Sequence, residues 1–210
     1  FIQPNVVMSE QVVVVSNREL SALSCLSSAQ NYAWTVAQSS SMKGDLRYTP
    51  SDCFETFPQP THTPRMTETG ELLDSFRRPL MLSRQLGLTK LYNLVHDPDY
   101  SDADIDRLRE IHVEIDEAVK EAYGWHDLDL GHGHHETPQG TRWTISPAAR
   151  VEVLDRLLEL NFARHDEEVR KGLYPSRKRK GRAKTAKRKP AADALPSIDG
   201  AMFPPDNALF

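Results

Sequence analysis

Residues 101–124 read SDADIDRLREIHVEIDEAVKEAYG, and the spacing of their apolar residues predicts an amphipathic helix. One helix face collects the residues that recur at intervals of three or four: Ile105, Leu108, His112, Ile115, Val119 and Ala122. Ser101 with Asp104 resembles a capping box, and Gly124 stands where a glycine commonly ends a helix. His112 on this apolar face is typical of a hydrogen-bonded core histidine rather than of a metal ligand. This helix is the better marked of the predicted helices.

Helices are also predicted on both sides of this segment. Residues 68–95 contain leucines at helical spacing, and Pro79 is expected to kink or split that helix because its ring removes a backbone hydrogen bond. Residues 146–172 begin with Ser146 in the N-cap position. The predicted apolar face of this last helix comprises Val151, Leu154, Leu158, Phe162 and Val169. Three helices with apolar stripes predict a small helical bundle.

The N-terminal part of the chain has a different character. The run QVVVVS at 11–16 predicts a buried strand, and residues 18–38 predict a helix. Residues 42–52 have the glycine and proline of a loop, and residues 53–57 alternate as in a short strand. Repeated prolines between residues 58 and 64 then predict an extended linker. Together these patterns predict an α+β protein.

Four segments are expected along the chain. Residues 1–60 are the end of a mixed α/β domain, and residues 61–67 are a linker. Residues 68–173 form the small helical domain. Residues 174–210 form a disordered tail, because their composition is first basic and then rich in alanine and proline.

The charge of the chain is unevenly distributed. Its 26 lysines and arginines against 30 aspartates and glutamates give a formal net charge of −4. Residues 170–189 contain eleven basic residues and no acidic one, so the other 190 residues carry 15 basic against 30 acidic groups, a net of −15. A basic segment attached to an acidic body points toward a polyanionic partner such as nucleic acid.

Two segments are candidate DNA contacts. The predicted loop at 42–52 combines cationic, aromatic and hydroxyl side chains, which suit phosphate oxygens and base edges. These side chains belong to Lys43, Arg47, Tyr48, Thr49 and Ser51. In the tail, cations that would neutralise phosphates without reading sequence are Arg177, Lys178, Arg179, Lys180 and Arg182. A merely solubilising tail is the alternative interpretation.

Composition and motifs exclude several classes of protein. No window approaches the roughly 18 uninterrupted apolar residues of a membrane-spanning helix. Cys25 and Cys53 are too few for a disulfide scaffold, which favours a reducing cytoplasm. Neither G-x-G-x-x-G nor a phosphate-binding loop with G-K-S/T occurs. Four histidines between residues 126 and 135 invite a metal site, but the glycines among them predict a solvated polar loop. No catalytic, cofactor-binding or metal-ligating residue is assigned.

Four segments, taken in order, resemble one protein family. They read SSSMKGDLRYTPSDCFETFP at 39–58, GLTKLYNLVHDP at 87–98, LREIH followed by AYGW within 108–125, and DLDLGHG at 127–133, which runs on into RVEVLDRLLELN at 150–161. The set resembles the large single-chain adenine-specific DNA methyltransferases of the type IIG, MmeI-like restriction–modification kind. It also resembles the related methylases of phage-defence systems such as DISARM. The resemblance covers residues 1–172.

The resemblance implies that residues 1–60 end a target-recognition domain and that the helical domain supports it against the duplex. In the family, the S-adenosylmethionine site and the N-P-P-Y-type tetrapeptide lie upstream of this region, so the resemblance implies an upstream domain of the same parent chain that holds both. Neither occurs in this sequence. The parent would then be a site-specific adenine methyltransferase, with or without nuclease activity. This fragment would position double-stranded DNA without binding the cofactor or catalysing methyl transfer.

Partners and location follow from the same resemblance. We expect double-stranded DNA, the upstream methyltransferase domain and, in a defence system, further subunits as partners, in the cytoplasm at the nucleoid and without a membrane. The first residue, Phe1, agrees with a chain that is the C-terminal part of a longer protein. The alternative hypothesis is a stand-alone helical DNA-binding or assembly module with a basic tail, which needs no methyl donor.

Overall fold

A computed structural model describes residues 15, 17, 19–42 and 45–173, and for 40–42 and 45–47 it describes the backbone. Helices dominate and two short antiparallel hairpins accompany them, which confirms the predicted α+β class. The elements are α1 (Leu20–Ser27), α2 (Ala29–Gln38), β1 (Ser40–Met42), β2 (Asp45–Arg47), a π-helical turn (Pro50–Phe54), α3 (Pro64–Ser83), α4 (Leu88–His96), α5 (Ala103–Ala122), β3 (Gly133–Thr137), β4 (Gly140–Thr144) and α6 (Pro147–Arg170).

The described elements belong to one compact unit. The predicted tail at 174–210 and most of the predicted strand at 11–16 lie outside the described residues. The predicted domain limits stay predictions. Within the part of the chain that the structure describes, no helix is long and apolar enough to cross a membrane.

Ser28 separates α1 from α2, where the sequence predicts one helix over 18–38. Its backbone is extended, with φ −76° and ψ 154°. Its hydroxyl donates to the carbonyl of Cys25 at 2.8 Å and accepts from the backbone N–H of Asn31 at 3.2 Å. A serine that caps the second helix in this way competes with continuation of the first. The prediction of a single helix is therefore wrong at this residue.

The segment after α2 also differs from its prediction. β1 pairs antiparallel with β2, with Ser40 opposite Arg47, so part of the predicted loop at 42–52 is a strand. The predicted strand at 53–57 is wrong, because the π-helical turn extends through Phe54 and the Pro50 carbonyl accepts from the Glu55 N–H at 2.9 Å. Proline in the first position fixes φ at a helical value, which favours the turn.

Pro79 lies inside α3 and does not end it. The predicted break occurs instead at residues 84–87, where Gln85 adopts a left-handed φ of 52°. Leu80, which follows the proline, is buried in the core. Tertiary packing therefore offsets the backbone hydrogen bond that the proline ring removes.

The helix predicted within residues 101–124 is confirmed as α5, with its N-cap at Asp102 rather than Ser101. The Asp102 carboxylate accepts from the backbone N–H groups of Asp104 at 3.1 Å and Ile105 at 3.4 Å. Gly124 follows the helix with φ 75°, a conformation that glycine adopts without a steric cost. The predicted glycine stop is therefore confirmed.

The segment between α5 and α6 is more ordered than its sequence predicts. β3 and β4 form a hairpin in which Gly133 pairs with Thr144 and Thr137 pairs with Gly140. Gly140 has φ 93°, and this left-handed conformation lets the chain reverse within a tight turn. Part of the predicted polar loop is therefore a strand.

The start of α6 is confirmed and its predicted apolar face is partly wrong. The Ser146 hydroxyl accepts from the N–H of Ala149 at 3.1 Å, as an N-cap does. The buried residues of α6 are Ala149, Val153 and Leu157. Three residues of the predicted face are exposed: Val151, Phe162 and Val169. The contact face follows the four-residue spacing from Ala149, which rotates it away from the predicted stripe.

Two clusters of buried apolar side chains form the core. The first contains residues from both ends of the fold, since Trp34 and Phe57 belong to the same cluster as Leu157. The second lies among α3, α4 and α5 and includes Leu73, Leu91 and Ile111. Because the first cluster joins α2 to α6, the N-terminal and C-terminal parts of the described chain share apolar packing.

Small residues bring α1 close to α3. A side chain at Gly70 would overlap the backbone carbonyl of Leu20. Beside this crossing, the Ser24 hydroxyl donates to the carbonyl of Met66 at 2.7 Å and lies 2.8 Å from the hydroxyl of Thr69. The two helices therefore meet backbone to backbone with satisfied polar groups between them.

Candidate nucleic-acid interface

The first two residues predicted to contact DNA are Lys43 and Arg47. Arg47 ends β2, opposite Ser40, and the description of this position covers its backbone. Lys43 lies outside the described residues, between the two strands. A two-stranded ribbon is one of the elements that fit the major groove of DNA. The predicted roles of both cations stay predictions.

Three further predicted residues follow the hairpin directly. The Thr49 hydroxyl donates to one carboxylate oxygen of Asp52 at 2.8 Å, and the Ser51 hydroxyl donates to the other at 3.2 Å. Both hydroxyls are thus held by the same acidic side chain. Tyr48 is half-buried, and burial is the main cause that raises its pKa. The structure therefore brings Thr49 and Ser51 together and turns Tyr48 partly inward.

The segment that contains Asp52 is anchored to two helices. The indole N–H of Trp34 donates to the Thr56 hydroxyl at 3.1 Å, which joins the segment to α2. The Asn161 side chain donates to the Thr56 carbonyl at 2.6 Å, which joins it to α6. Tyr123 adds a third contact, because its hydroxyl donates to the Pro58 carbonyl at 3.0 Å. The hairpin is therefore followed by a firmly attached support.

Tyr48 also lines a cavity of about 370 Å³. This space, called the junction cavity below, lies where α2, α4 and α5 meet the β3–β4 hairpin. Its lining is mainly aromatic and polar and includes Asn31, Tyr32, Tyr48, Tyr92, His96, His112, Asp116, His132, Arg142 and Trp143. Its size falls within the roughly 300–1,000 Å³ of ordinary ligand pockets.

Two histidines of the junction cavity are hydrogen-bonded and held neutral. The Nε2 atom of His112 lies 2.7 Å from the Tyr92 hydroxyl, which agrees with the predicted core histidine. His96 accepts from the backbone N–H of Trp143 at 3.2 Å. Burial is the main cause that lowers the pKa of each histidine to about 4. The nearby charge of Arg142 lowers the pKa of His96 further.

Asp116 connects three elements at one end of the junction cavity. Its carboxylate accepts from the Ala29 N–H at 2.7 Å and from Nε2 of His132 at 2.9 Å. Its backbone carbonyl accepts from the Gln30 side chain at 2.9 Å. Burial raises the pKa of Asp116, and the contacts with His132 and Ala29 act against that rise. This residue of α5 thus joins the start of α2 to the segment before β3.

Three buried polar atoms of residues that line the junction cavity have no hydrogen-bond partner among the described residues. They are Oδ1 of Asn31, Nε of Arg142 and Nε1 of Trp143. One is an acceptor and two are donors. Buried polar groups are normally paired, so three such atoms beside one cavity require an explanation.

Other predicted features are placed as follows. Residues 15, 17, 19–42 and 45–173 contain no group of three or more His, Cys, Asp or Glu that could hold a metal ion. The five predicted tail contacts are outside the described part of the chain: Arg177, Lys178, Arg179, Lys180 and Arg182. The junction cavity could not be predicted from the sequence, because its residues come from distant segments and share no spacing pattern.

One of the comparisons with known proteins finds a match, to a protein-family model. Residues 1–61 match the family model described as MmeI, target recognition domain. No curated protein matches the chain, and no solved structure matches it. The match supports recognition of a DNA sequence within a restriction–modification enzyme. It covers the hairpin and the anchored segment that follows.

Proposed function

We propose that this chain is the DNA-recognition and C-terminal helical portion of an S-adenosylmethionine-dependent, adenine-specific DNA methyltransferase of a restriction–modification or phage-defence system. In this proposal the chain positions double-stranded DNA and does not catalyse methyl transfer alone. The observation that carries it is the match of residues 1–61 to a target-recognition domain.

The contacts around the hairpin support a positioning role. A reader of base edges needs a rigid support, since a misplaced donor loses its hydrogen bond. The segment after β2 meets this need, because Thr56 contacts both Trp34 and Asn161. In this arrangement Lys43 and Arg47 contact the duplex from the hairpin, and the helical bundle holds the hairpin in place.

The cofactor belongs to the upstream domain in this proposal. Binding S-adenosylmethionine is assigned to that domain by the family resemblance, and no residue of this chain is given a cofactor role. The upstream domain and further defence-system subunits are the proposed protein partners. The proposed location is the cytoplasm, at the nucleoid.

The first experiment measures binding to duplex DNA as a function of salt concentration. We compare the whole chain with a variant that lacks residues 174–190, which contain nine lysines and arginines. If the tail contacts phosphates, its removal lowers the slope of log K against log salt by several units, up to about 8. An unchanged slope assigns the tail to solubility instead.

The second experiment tests the hairpin. The chain selects duplexes from a randomised pool, and the variant K43A/R47A is expected to lose the sequence preference because base contacts carry specificity. The control R78A/K90A removes the same number of charges from exposed positions of α3 and α4. In the full-length parent, unchanged methylation rate and preference for K43A/R47A would reject the assignment.

The same selection separates the two hypotheses. Binding without sequence preference that depends wholly on the tail would favour the stand-alone basic module. A preference that survives tail removal would favour the recognition domain, because phosphate neutralisation alone does not distinguish sequences.

A further inference from the structure

Several aromatic side chains form the walls of the junction cavity. Tyr32, Tyr48, Tyr92 and Trp143 line it together with three imidazoles. Two of these rings pack against each other, since His112 lies edge-on to Tyr92 with centroids 5.4 Å apart. Aromatic faces favour a planar ring as the occupant.

Polar groups in the wall are few and directional. Asn31 is only 5% exposed, and its side-chain oxygen lacks a partner. Arg142 and Trp143 each offer a buried N–H that also lacks one. An occupant that satisfies all three presents one donor and two acceptors. Nucleobases combine such edges with a planar aromatic ring.

The charged groups that face the cavity leave one cation available. Asp116 is paired with His132 at 2.9 Å. His96 and His112 are neutral near pH 7, since their pKa values lie near 4. Arg77 does not line the cavity, and it donates to the hydroxyl of the lining residue Tyr92 at 3.2 Å. Arg142 is therefore the charged group of the described lining whose side chain has an unsatisfied donor.

The position of the cavity connects it to the candidate interface. Tyr48 follows β2 immediately and also lines the cavity. A base that left a duplex beside the hairpin would therefore meet Tyr48 first. Bases that leave the stack are held elsewhere by aromatic stacking and by hydrogen bonds to their edges.

We propose that the junction cavity binds a single nucleobase, stacked on its aromatic walls and hydrogen-bonded to Asn31, Arg142 and Trp143. The base comes either from a free nucleotide or from an unstacked nucleotide of bound DNA. The second source rests on the proposed function, and the first does not. No bond forms or breaks in this proposal.

Calorimetric titration tests the binding of free bases. The 210-residue chain is titrated with the four nucleoside 5′-monophosphates and with ribose 5-phosphate, which lacks the base. At least one nucleotide is expected to bind, and ribose 5-phosphate is expected not to bind. Equal binding of ribose 5-phosphate would reduce the site to an anion site and overturn the proposal.

Two variants test whether Trp143 and Arg142 contribute to nucleotide binding. W143F keeps an aromatic ring and removes the N–H, and R142Q removes the cation; each is expected to weaken binding about tenfold. The controls are W125F, in a tryptophan that does not line the cavity, and R78Q, at an exposed arginine. Thermal melts verify that all four variants fold. If a cavity variant does not fold, N31L takes its place. Unchanged affinity in every folded cavity variant would overturn the proposal.

The DNA source is tested with duplexes that carry 2-aminopurine, whose fluorescence rises when it leaves the stack. A rise that W143F and R142Q reduce, while W125F does not, assigns the base to DNA. Nucleotide binding without this rise assigns it to the free pool. Duplex binding with neither signal would reject the base site and leave the proposed function intact. Nucleotide binding without duplex binding would support the base site and reject the proposed function.

Discussion

Arg109 shows how a single charged side chain can organise neighbouring elements. It is 7% exposed, and its guanidinium donates to the carbonyls of Val95 at 2.9 Å, Asp97 at 2.8 Å and Tyr100 at 3.1 Å. It also pairs with Asp106 at 2.7 Å. These carbonyls lie at and beyond the end of α4, where backbone acceptors have no helical partner. The side chain therefore closes α4 and fastens it to α5.

Replacing Arg109 should lower the stability of the fold. We expect R109A to lower the free energy of unfolding by about 3 kcal/mol, because the carbonyls lose buried, charge-assisted partners. R109K should not restore stability, since one ammonium lacks the planar fork of the guanidinium. Urea denaturation measures both. The control R107K alters a partly exposed arginine on the same helix, which pairs with Glu110 and Glu114, and should cost less than about 0.5 kcal/mol.

The two neutral histidines make stability depend on pH. Their pKa values of about 4 in the folded chain lie below the ordinary value of 6.5. Between pH 6.5 and 4 the unfolded chain therefore binds more protons, and stability falls as the pH falls. Each histidine contributes a slope of up to about 1.4 kcal/mol per pH unit.

Urea titrations between pH 7 and 5 measure this slope. H112Q should reduce the slope of stability against pH by the contribution of one histidine, because the glutamine amide does not titrate. H126Q changes an exposed histidine and should keep the wild-type slope. An unchanged slope in H112Q would contradict a neutral His112 in the folded chain.

At the scale of elements, the crossing of α1 and α3 depends on the absence of a side chain at Gly70. G70A should destabilise the protein by about 3 kcal/mol or more, because the methyl group would meet the Leu20 backbone, which cannot move aside as a flexible side chain would. G87A is the matched control, since a methyl group there has no atom within 4 Å. Equal thermal stability of the two variants would contradict this close approach.

The helices could be predicted where local signals agree with packing. Ser146 and Gly124 mark ends that the structure confirms. The break at Ser28 could not be predicted from periodicity, because the apolar spacing continues across it and a side-chain hydrogen bond decides the outcome. The buried face of α6 could not be predicted from its apolar spacing either. Which of its apolar residues are buried depends on the position of α2, not on the sequence of α6 alone.

For the candidate site, the sequence pointed to residues that are close together along the chain. Tyr48, Thr49 and Ser51 are of this kind, and the first lines the junction cavity. Arg142 and Trp143 were not identified, because only the tertiary fold brings β4 to α2. Local composition therefore indicated Tyr48 on one side of the cavity. Arg142 and Trp143 on the other side are brought there by tertiary packing.

At the scale of the whole molecule, the matched recognition segment shares its apolar core with the helical part. Cys25, Trp34 and Phe57 belong to one cluster with Ala118 and Leu157. A segment whose buried residues need partners from beyond its own end cannot shield them alone. The packing thus makes the folding of both parts interdependent.

This interdependence predicts the behaviour of fragments. A peptide of residues 1–62 should lack the near-ultraviolet dichroism of a fixed Trp34 and should exchange its amide hydrogens rapidly. Adding a second peptide of residues 63–173 should restore both signals, whereas the second peptide carrying L157D should not, because it places a charge in the shared core. Independent folding of the first peptide would contradict the prediction.

The Asp116 contact has a consequence for engineering. Specificity is often transferred between related proteins by grafting a recognition segment, and the end of the matched region near residue 61 looks like a natural crossover point. Yet the start of α2 is held by a carboxylate on α5, and that carboxylate is also held by His132. A graft cut at residue 61 would therefore separate a donor from its acceptor. Chimeras that keep α2 with its own α5 and β3–β4 hairpin should tolerate exchange better, so the transferable module is larger than the matched segment.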